Sequence, residues 1–158
     1  MEVIDHLLTS SNFPEGKCWK QLTFKANSEI VTQGDCSKTV YYLKKGSARV
    51  IGTVLVGDDK QMKPGVYDLS PGEVFGELAL FDDEPRSASV IALEDSKVVV
   101  IDGDQLLNYL DANRDLGFEL MKALMSLLVG RLRQANKKMF SLLSWGLKAH
   151  NIDQYLSK

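Results

Sequence analysis

Residues 75–90 read Phe75-Gly76-Glu77-Leu78-Ala79-Leu80-Phe81-Asp82-Asp83-Glu84-Pro85-Arg86-Ser87-Ala88-Ser89-Val90. Pro71-Gly72 just upstream ends a strand, and Gly76 lets the backbone approach something closely. Glu77-Leu78-Ala79-Leu80 reads as a single helical turn, whose first amides point outward unpaired and favour an anion. Arg86 is the one cation of the stretch, and its planar fork suits phosphate oxygens. Ser87 and Ala88 are small and admit a phosphate close to the main chain, while Glu77 can accept hydrogen bonds from a sugar hydroxyl. The plain alternative makes Glu77 and Arg86 a surface ion pair across a loop.

Outward from this stretch, the chain from Gln21 to about Asp102 is written in strands and turns. Thr39-Val40-Tyr41-Tyr42-Leu43 is a β-branched and aromatic run closed by Lys44-Lys45-Gly46. Ala48-Arg49-Val50-Ile51 resumes it, and Thr53-Val54-Leu55-Val56 leads into a hairpin signal at Gly57-Asp58-Asp59. Turn signals recur at Asp35, Gly65 and Pro71-Gly72, which predicts a sandwich or rolled barrel of short strands. Val99 breaks the alternation of Lys97–Asp102, so that strand is expected to be covered on both faces.

After Gly103 the period becomes helical. Residues 104–110 predict a short helix with Asp104 as its N-cap, and a second helix is expected from near Asp115 to about Trp145, ended by Gly146. Ala149 to Leu156 is read as one more short turn. In the long helix Met121, Met125, Leu128, Leu132, Ala135, Met139 and Leu142 recur at spacings of 4 and 3, which is coiled-coil spacing. Leu120, Leu124 and Leu127 widen the apolar arc of its first half, which is therefore expected to pack on the β-body. The second half needs another partner. A parallel helix from a second copy supplies one, so a homodimer through the Met121–Leu142 seam is expected; a tail wrapped back on a monomer is the alternative. At the other end Ile4, Leu7 and Leu8 suggest a short helix ending near Ser10-Ser11, followed by a loop over Asn12–Gly16.

These readings assemble into one domain over 1–158, mainly β with flanking helices (α+β). A β-roll occupies about 21–102, helices about 104–145 and a tail 146–158. The 158 residues suffice for one sizeable core, and 44% hydrophobic with 25% charged residues excludes a disordered or fibrous chain. No apolar run approaches the roughly 18 residues of a membrane span, and the acidic start Met1-Glu2-Val3-Ile4-Asp5 does not resemble a secretory signal. Two cysteines, Cys18 and Cys36, make neither a disulfide framework nor a four-thiolate metal site. A cytoplasmic protein is the expectation. Residues 1–118 carry 12 Lys and Arg against 19 Asp and Glu, a balance of −7, whereas 119–158 carry 7 against 2, a balance of +5. The basic segment is read as a solvated helix face rather than a nucleic-acid site, because an acidic body repels phosphate backbones. His6 and His150 lie at opposite ends, outside the strands, which argues against metal-dependent barrel enzymes and Ser/His/Asp catalysis. No catalytic residue, metal ligand or catalytic cofactor is assigned.

Phe-Gly-Glu-Leu-Ala-Leu at 75–80 followed by Pro-Arg-Ser-Ala-Ser at 85–89 resembles the phosphate-binding cassette of cyclic-nucleotide-binding domains. The flanks resemble the family too: Ile30–Asp35 looks like its first turn, Tyr42–Gly46 its second and Leu69–Gly72 its third. Gly34, Gly46, Gly72 and Gly76 stand at its turn glycines. Asn27 replaces a frequent glycine, a place where asparagine tolerates a left-handed backbone. About Phe24 to Lys138 is covered by the likeness.

The resemblance implies an antiparallel double-stranded β-helix, or jelly roll, with a long carboxy-terminal dimerisation helix. It implies that Glu77 holds the ribose 2′-hydroxyl with Gly76 beside it. Arg86 would pair with the cyclic phosphate, and the amides of Leu78, Ala79, Ser87 and Ala88 would complete the cradle. Val66 and Leu69 lie where the family presents apolar groups to the base. Arg131-Leu132 is similar to the pair preceding the family's base-capping turn, making Arg131, Ala135 and Asn136 the candidate lid; a helix surface and seam alone is the other reading. Bacterial activators of the family carry hydroxyl residues at the places of Ala135 and Asn136, so base contacts here differ. The function implied is binding of a cyclic purine nucleotide, cAMP ahead of cGMP, and relay of occupancy to an unidentified downstream protein by a stand-alone sensor or regulatory subunit. The rival is a nucleotide-free dimerisation module of the same fold.

Overall fold

Short runs of alternating apolar residues cannot bury one face alone, so they pair into sheets that close on each other. The structure, a computed structural model, describes residues 1–56 and 60–150. The expected hairpin turn at 57–59 and the tail beyond 150 lie outside the described residues. Ten strands are described: β1 (Trp19–Phe24), β2 (Glu29–Val31), β3 (Thr39–Lys45), β4 (Ala48–Ile51), β5 (Val54–Val56), β6 (Lys60–Met62), β7 (Gly65–Leu69), β8 (Val74–Phe75), β9 (Ser89–Ala92) and β10 (Ser96–Asp102). Eight of them form two four-stranded antiparallel sheets, in the orders β1-β10-β3-β8 and β2-β9-β4-β7, and β5 and β6 pair as a separate ribbon. The mainly β jelly roll expected from the sequence is therefore the fold.

The two sheets enclose a core built from both inner faces: Leu43, Phe75 and Val98 from one, Ile30, Val31, Ala48, Val50, Leu69, Val90 and Ala92 from the other. β4 shows the rule in miniature. Ala48 and Val50 point inward, while Arg49 between them points outward and grips Asp68 opposite through two bonds of 2.6 and 2.8 Å. In β10 both Val98 and Val99 are buried, as the broken alternation predicts. Asn27 adopts φ +64, the left-handed conformation its side chain tolerates. At Gly46, φ is +92 and the place of a Cβ is already filled by Ser96, so the turn after β3 excludes any larger residue.

By contact the chain divides into two compact units, 1–118 and 119–158. The first holds the roll, the short helix α1 (Glu2–Leu7), whose Ile4 and Leu7 are buried, and α2 (Gly103–Ala112). The N-cap of α2 is Asp102, not Asp104: the Asp102 carboxylate accepts from the Gln105 amide at 2.9 Å. The helix starts directly off β10, and Gly103, its first residue, packs so closely on Lys38, donating to its carbonyl at 2.7 Å, that no other residue fits there. The helix α3 (Arg114–Ala149) supplies nearly all of the described part of the second unit. It begins one residue before the expected Asp115 and does not stop at Gly146. The Gly146 carbonyl accepts from the His150 amide at 3.1 Å, an ordinary helical bond. Glycine weakens a helix by about 1 kcal/mol but terminates it only when a left-handed turn follows. Along α3, Leu120 and Leu124 are buried and Leu127 half-buried, whereas Met125, Leu132, Met139 and Leu142 of the heptad seam are 54–69% exposed.

Candidate functional site

The site is built where β8 leaves its sheet. Tyr41 of β3 pairs with Phe75 of β8, and their rings stack at 5.1 Å with an interplanar angle of 11°. Gly76 then turns the chain with φ +73, and Glu77–Leu80 forms a single 3₁₀ turn, the helical turn expected from the sequence. A Cβ on Gly76 would lie 2.9 Å from Arg86 Nη1, 3.0 Å from the Tyr41 ring and 3.2 Å from the Thr39 carbonyl oxygen. The left-handed backbone favours glycine, and an added methyl would press on the Arg86 head group and the Tyr41 ring.

Arg86 is delivered to the same place by a loop stitched to the turn after β2. Its amide donates to the Asp35 carbonyl at 2.8 Å, and its carbonyl accepts from the Gly34 amide at 2.9 Å. Its guanidinium points inward. Nη1 donates to the Gly76 carbonyl at 2.8 Å, and Nη2 donates to the Thr39 carbonyl at 2.5 Å and to the Ser37 hydroxyl at 3.1 Å. The charge sits over the Tyr41 ring, 5.7 Å from its centre. Burial pushes the Tyr41 phenol above its ordinary pKa, against the lowering influence of the Arg86 charge and the nearby Ser37 hydroxyl.

Glu77 is 3% exposed and Arg86 7%, so the surface ion pair is ruled out as a reading of these residues. Arg86 makes no ion pair among the described residues, and its Nε–H is buried without a hydrogen-bond partner. A desolvated cation with an unused donor is costly unless an anion meets it. The residues therefore fit a phosphate group. Of the other residues singled out in the sequence, Ala79 is buried, Ala88 half-buried, and Leu78 and Ser87 exposed. Leu69 is wholly buried in the core, and Val66, on the same strand, is 38% exposed. Arg131, Ala135 and Asn136 belong to α3 in the second unit, Arg131 half-buried and the other two exposed. Sequence reasoning missed Ser37, Thr39 and Tyr41. Arg86, which all three meet, lies 45–49 residues away along the chain, and nothing in the local pattern marks them. Among the described residues no group of three or more His, Cys, Asp or Glu side chains could hold a metal ion, and no helix is long and apolar enough to cross a membrane.

The family model for the cyclic nucleotide-binding domain matches residues 21–113, more than half of the chain. The chain belongs to this family. Among its relatives, the cyclic AMP receptor protein of Thermus thermophilus is 35% identical over 107 residues, 68% of this chain and 46% of that protein. The cAMP-dependent protein kinase regulatory subunit of Aspergillus niger is 35% identical over 95 residues, 60% of this chain and 21% of its own length. This cyclic-nucleotide-binding domain thus spans less than half the length of the curated relatives it matches. The solved structure of the Thermus thermophilus catabolite activator protein superposes with a TM-score of 0.65 at 29% identity, covering 90% of this chain and 59% of that one.

Proposed function

We propose that this domain binds a cyclic purine nucleotide, cAMP in preference to cGMP, and relays its occupancy through α3. The observation that carries the reading is the buried Arg86 guanidinium, its Nε–H unused, set against the left-handed turn at Gly76. Arg86 takes the cyclic phosphate, the amides of Leu78, Ala79, Ser87 and Ala88 complete the cradle, and Glu77 with Gly76 holds the ribose. Val66, Arg131, Ala135 and Asn136 are assigned to the base, whereas Leu69, wholly buried in the core, offers it no surface. The names of the two relatives described above, a cyclic AMP receptor and a cAMP-dependent kinase regulator, support cAMP as the ligand. Ser87 offers a hydroxyl that suits a guanine amino group, which keeps cGMP as the competing ligand.

The seam from Met121 to Leu142, exposed at Met125, Leu132, Met139 and Leu142, is assigned to pairing with a second copy, α3 against α3. Occupancy shifts the helix only to the extent that the nucleotide binds its two positions with different affinity. Calorimetric titration with cAMP and with cGMP tests the reading. Binding of cAMP at least fivefold tighter, about 1 kcal/mol, is expected. Equal or tighter binding of cGMP overturns the choice of base, and no heat with either nucleotide leaves the nucleotide-free dimerisation module.

A further inference from the structure

We infer that Ser37 is a positioning residue for Arg86, setting which edge of the guanidinium is offered to the phosphate. The inference rests on the reading of Arg86 as the phosphate-binding residue. A guanidinium has five N–H donors: one on Nε and two on each Nη. Both donors of Nη2 are taken, one by the Thr39 carbonyl and the other by the Ser37 hydroxyl, and one donor of Nη1 is taken by the Gly76 carbonyl. Nε–H and a single Nη1 N–H are left over, and Nε–H is buried without a partner. Two of the three restraints are backbone carbonyls, which any sequence supplies. Of the three hydrogen bonds, the one to Ser37 alone depends on a side chain.

Ser37 is held in place independently of Arg86's head group. Its loop is tied by the Gly34–Arg86 and Arg86–Asp35 backbone bonds on one side. On the other, the Lys38 ammonium meets Asp83 at 2.9 Å, and the Lys38 carbonyl accepts from Gly103. The hydroxyl thus reaches Nη2 from a loop anchored both to the cassette and to the start of α2. Tyr41 lies under the charge, and within the guanidinium plane the Gly76 and Thr39 carbonyls hold one N–H each while the Ser37 hydroxyl occupies the second N–H of Nη2. Without that hydroxyl Nη2 gains a free N–H, and the cation can meet an anion through more than one edge.

The two phosphorothioate diastereomers of cAMP, in which sulfur replaces one or the other exocyclic oxygen, read this out. A cation that offers one edge distinguishes them strongly, and one that offers two does not. Titrating both into wild type, Ser37→Ala and Ser37→Thr should show the ratio of the two affinities falling at least threefold in Ser37→Ala and recovering in Ser37→Thr. The thermal midpoint should stay within about 2 °C of wild type, which separates positioning from a general structural role. In the ligand-free protein, ¹⁵N NMR should show faster solvent exchange of the Arg86 Nε–H in Ser37→Ala. An unchanged diastereomer ratio together with unchanged exchange overturns the inference. Should wild type bind neither diastereomer nor cAMP, the nucleotide reading fails, and the exchange rates alone decide the role of Ser37.

Discussion

Replacing Gly76 by alanine tests whether the cassette is shaped around Arg86 or merely turns the chain. Two effects act at that position. The backbone sits at φ +73, where a non-glycine residue costs about 1–2 kcal/mol. The new methyl also falls 2.9 Å from Arg86 Nη1 and 3.2 Å from the Thr39 carbonyl, so the guanidinium must move and its 2.8 Å bond to the Gly76 carbonyl is strained or lost. A hydrogen bond to a charged group contributes about 1.5–3 kcal/mol, bringing the total to about 2.5–5 kcal/mol. Gly16 separates the two effects: its φ is +84, but a Cβ there meets nothing within 4 Å. In thermal unfolding Gly16→Ala should lower the midpoint by about 2–8 °C, the backbone cost alone, at 2–4 °C per kcal/mol for a chain of this size. Gly76→Ala should fall by roughly 5–20 °C. The decisive comparison is calorimetric: cAMP affinity should be unchanged in Gly16→Ala and at least tenfold weaker in Gly76→Ala, about 1.4 kcal/mol. Equal midpoints and equal affinities in the two variants would refute the argument that the glycine makes room for the guanidinium.

Arg86→Ala should stay folded by circular dichroism and bind cAMP 30-fold or more weakly, since truncating a desolvated charge pair costs about 2–5 kcal/mol; binding within threefold of wild type removes Arg86 from the site. Glu77→Gln should weaken cAMP by no more than the roughly 1.5–3 kcal/mol of a charge-assisted bond and leave 2′-deoxy-cAMP nearly unaffected; equal binding of the two nucleotides to wild type contradicts the ribose role. Met139→Glu should convert the expected dimer to a monomer in light scattering, because a desolvated unpaired charge costs several kcal/mol, and a wild-type monomer at tens of micromolar sinks the seam. Stability should also fall at both ends of the pH range through the Asp5–Tyr42 contact of 2.7 Å. Burial raises the Asp5 pKa, but the hydrogen bonds of Lys44 and Tyr42 and the charges of Lys44 and the amino terminus outweigh it and hold it below 3.8. Its contribution is therefore present above that value and lost as pH falls through the lower, folded one. Burial, then the hydrogen bond and charge of Asp5, push the Tyr42 phenol above its ordinary 10, so that contribution is full below 10 and lost as pH rises through the folded value. Urea midpoints at pH 3, 7 and 11 should show both losses, and Asp5→Asn should flatten the acid one.

What residue order alone determined here is local chemistry. Gly34, Gly46, Gly72 and Gly76 all take positive φ, as does Asn27, because backbone sterics depend on a residue and its immediate neighbours. For the same reason the turn at Glu77–Leu80 and the strands around it were legible, and the order of residues in 75–90 carried the likeness to a family. Tertiary structure decided everything that joins distant residues. Asp102 rather than Asp104 caps α2, and the Gly103 that follows it is pressed onto Lys38, 65 positions earlier. Glu77 and Arg86 could be read as a surface pair until packing buried both. Ser37, Thr39 and Gly76 reach one guanidinium only because Tyr41 pairs with Phe75 and the loop after β2 is stitched to Arg86. Such contacts follow from strand register and from the closing of two sheets over one core, and neither is encoded within any short window of the chain.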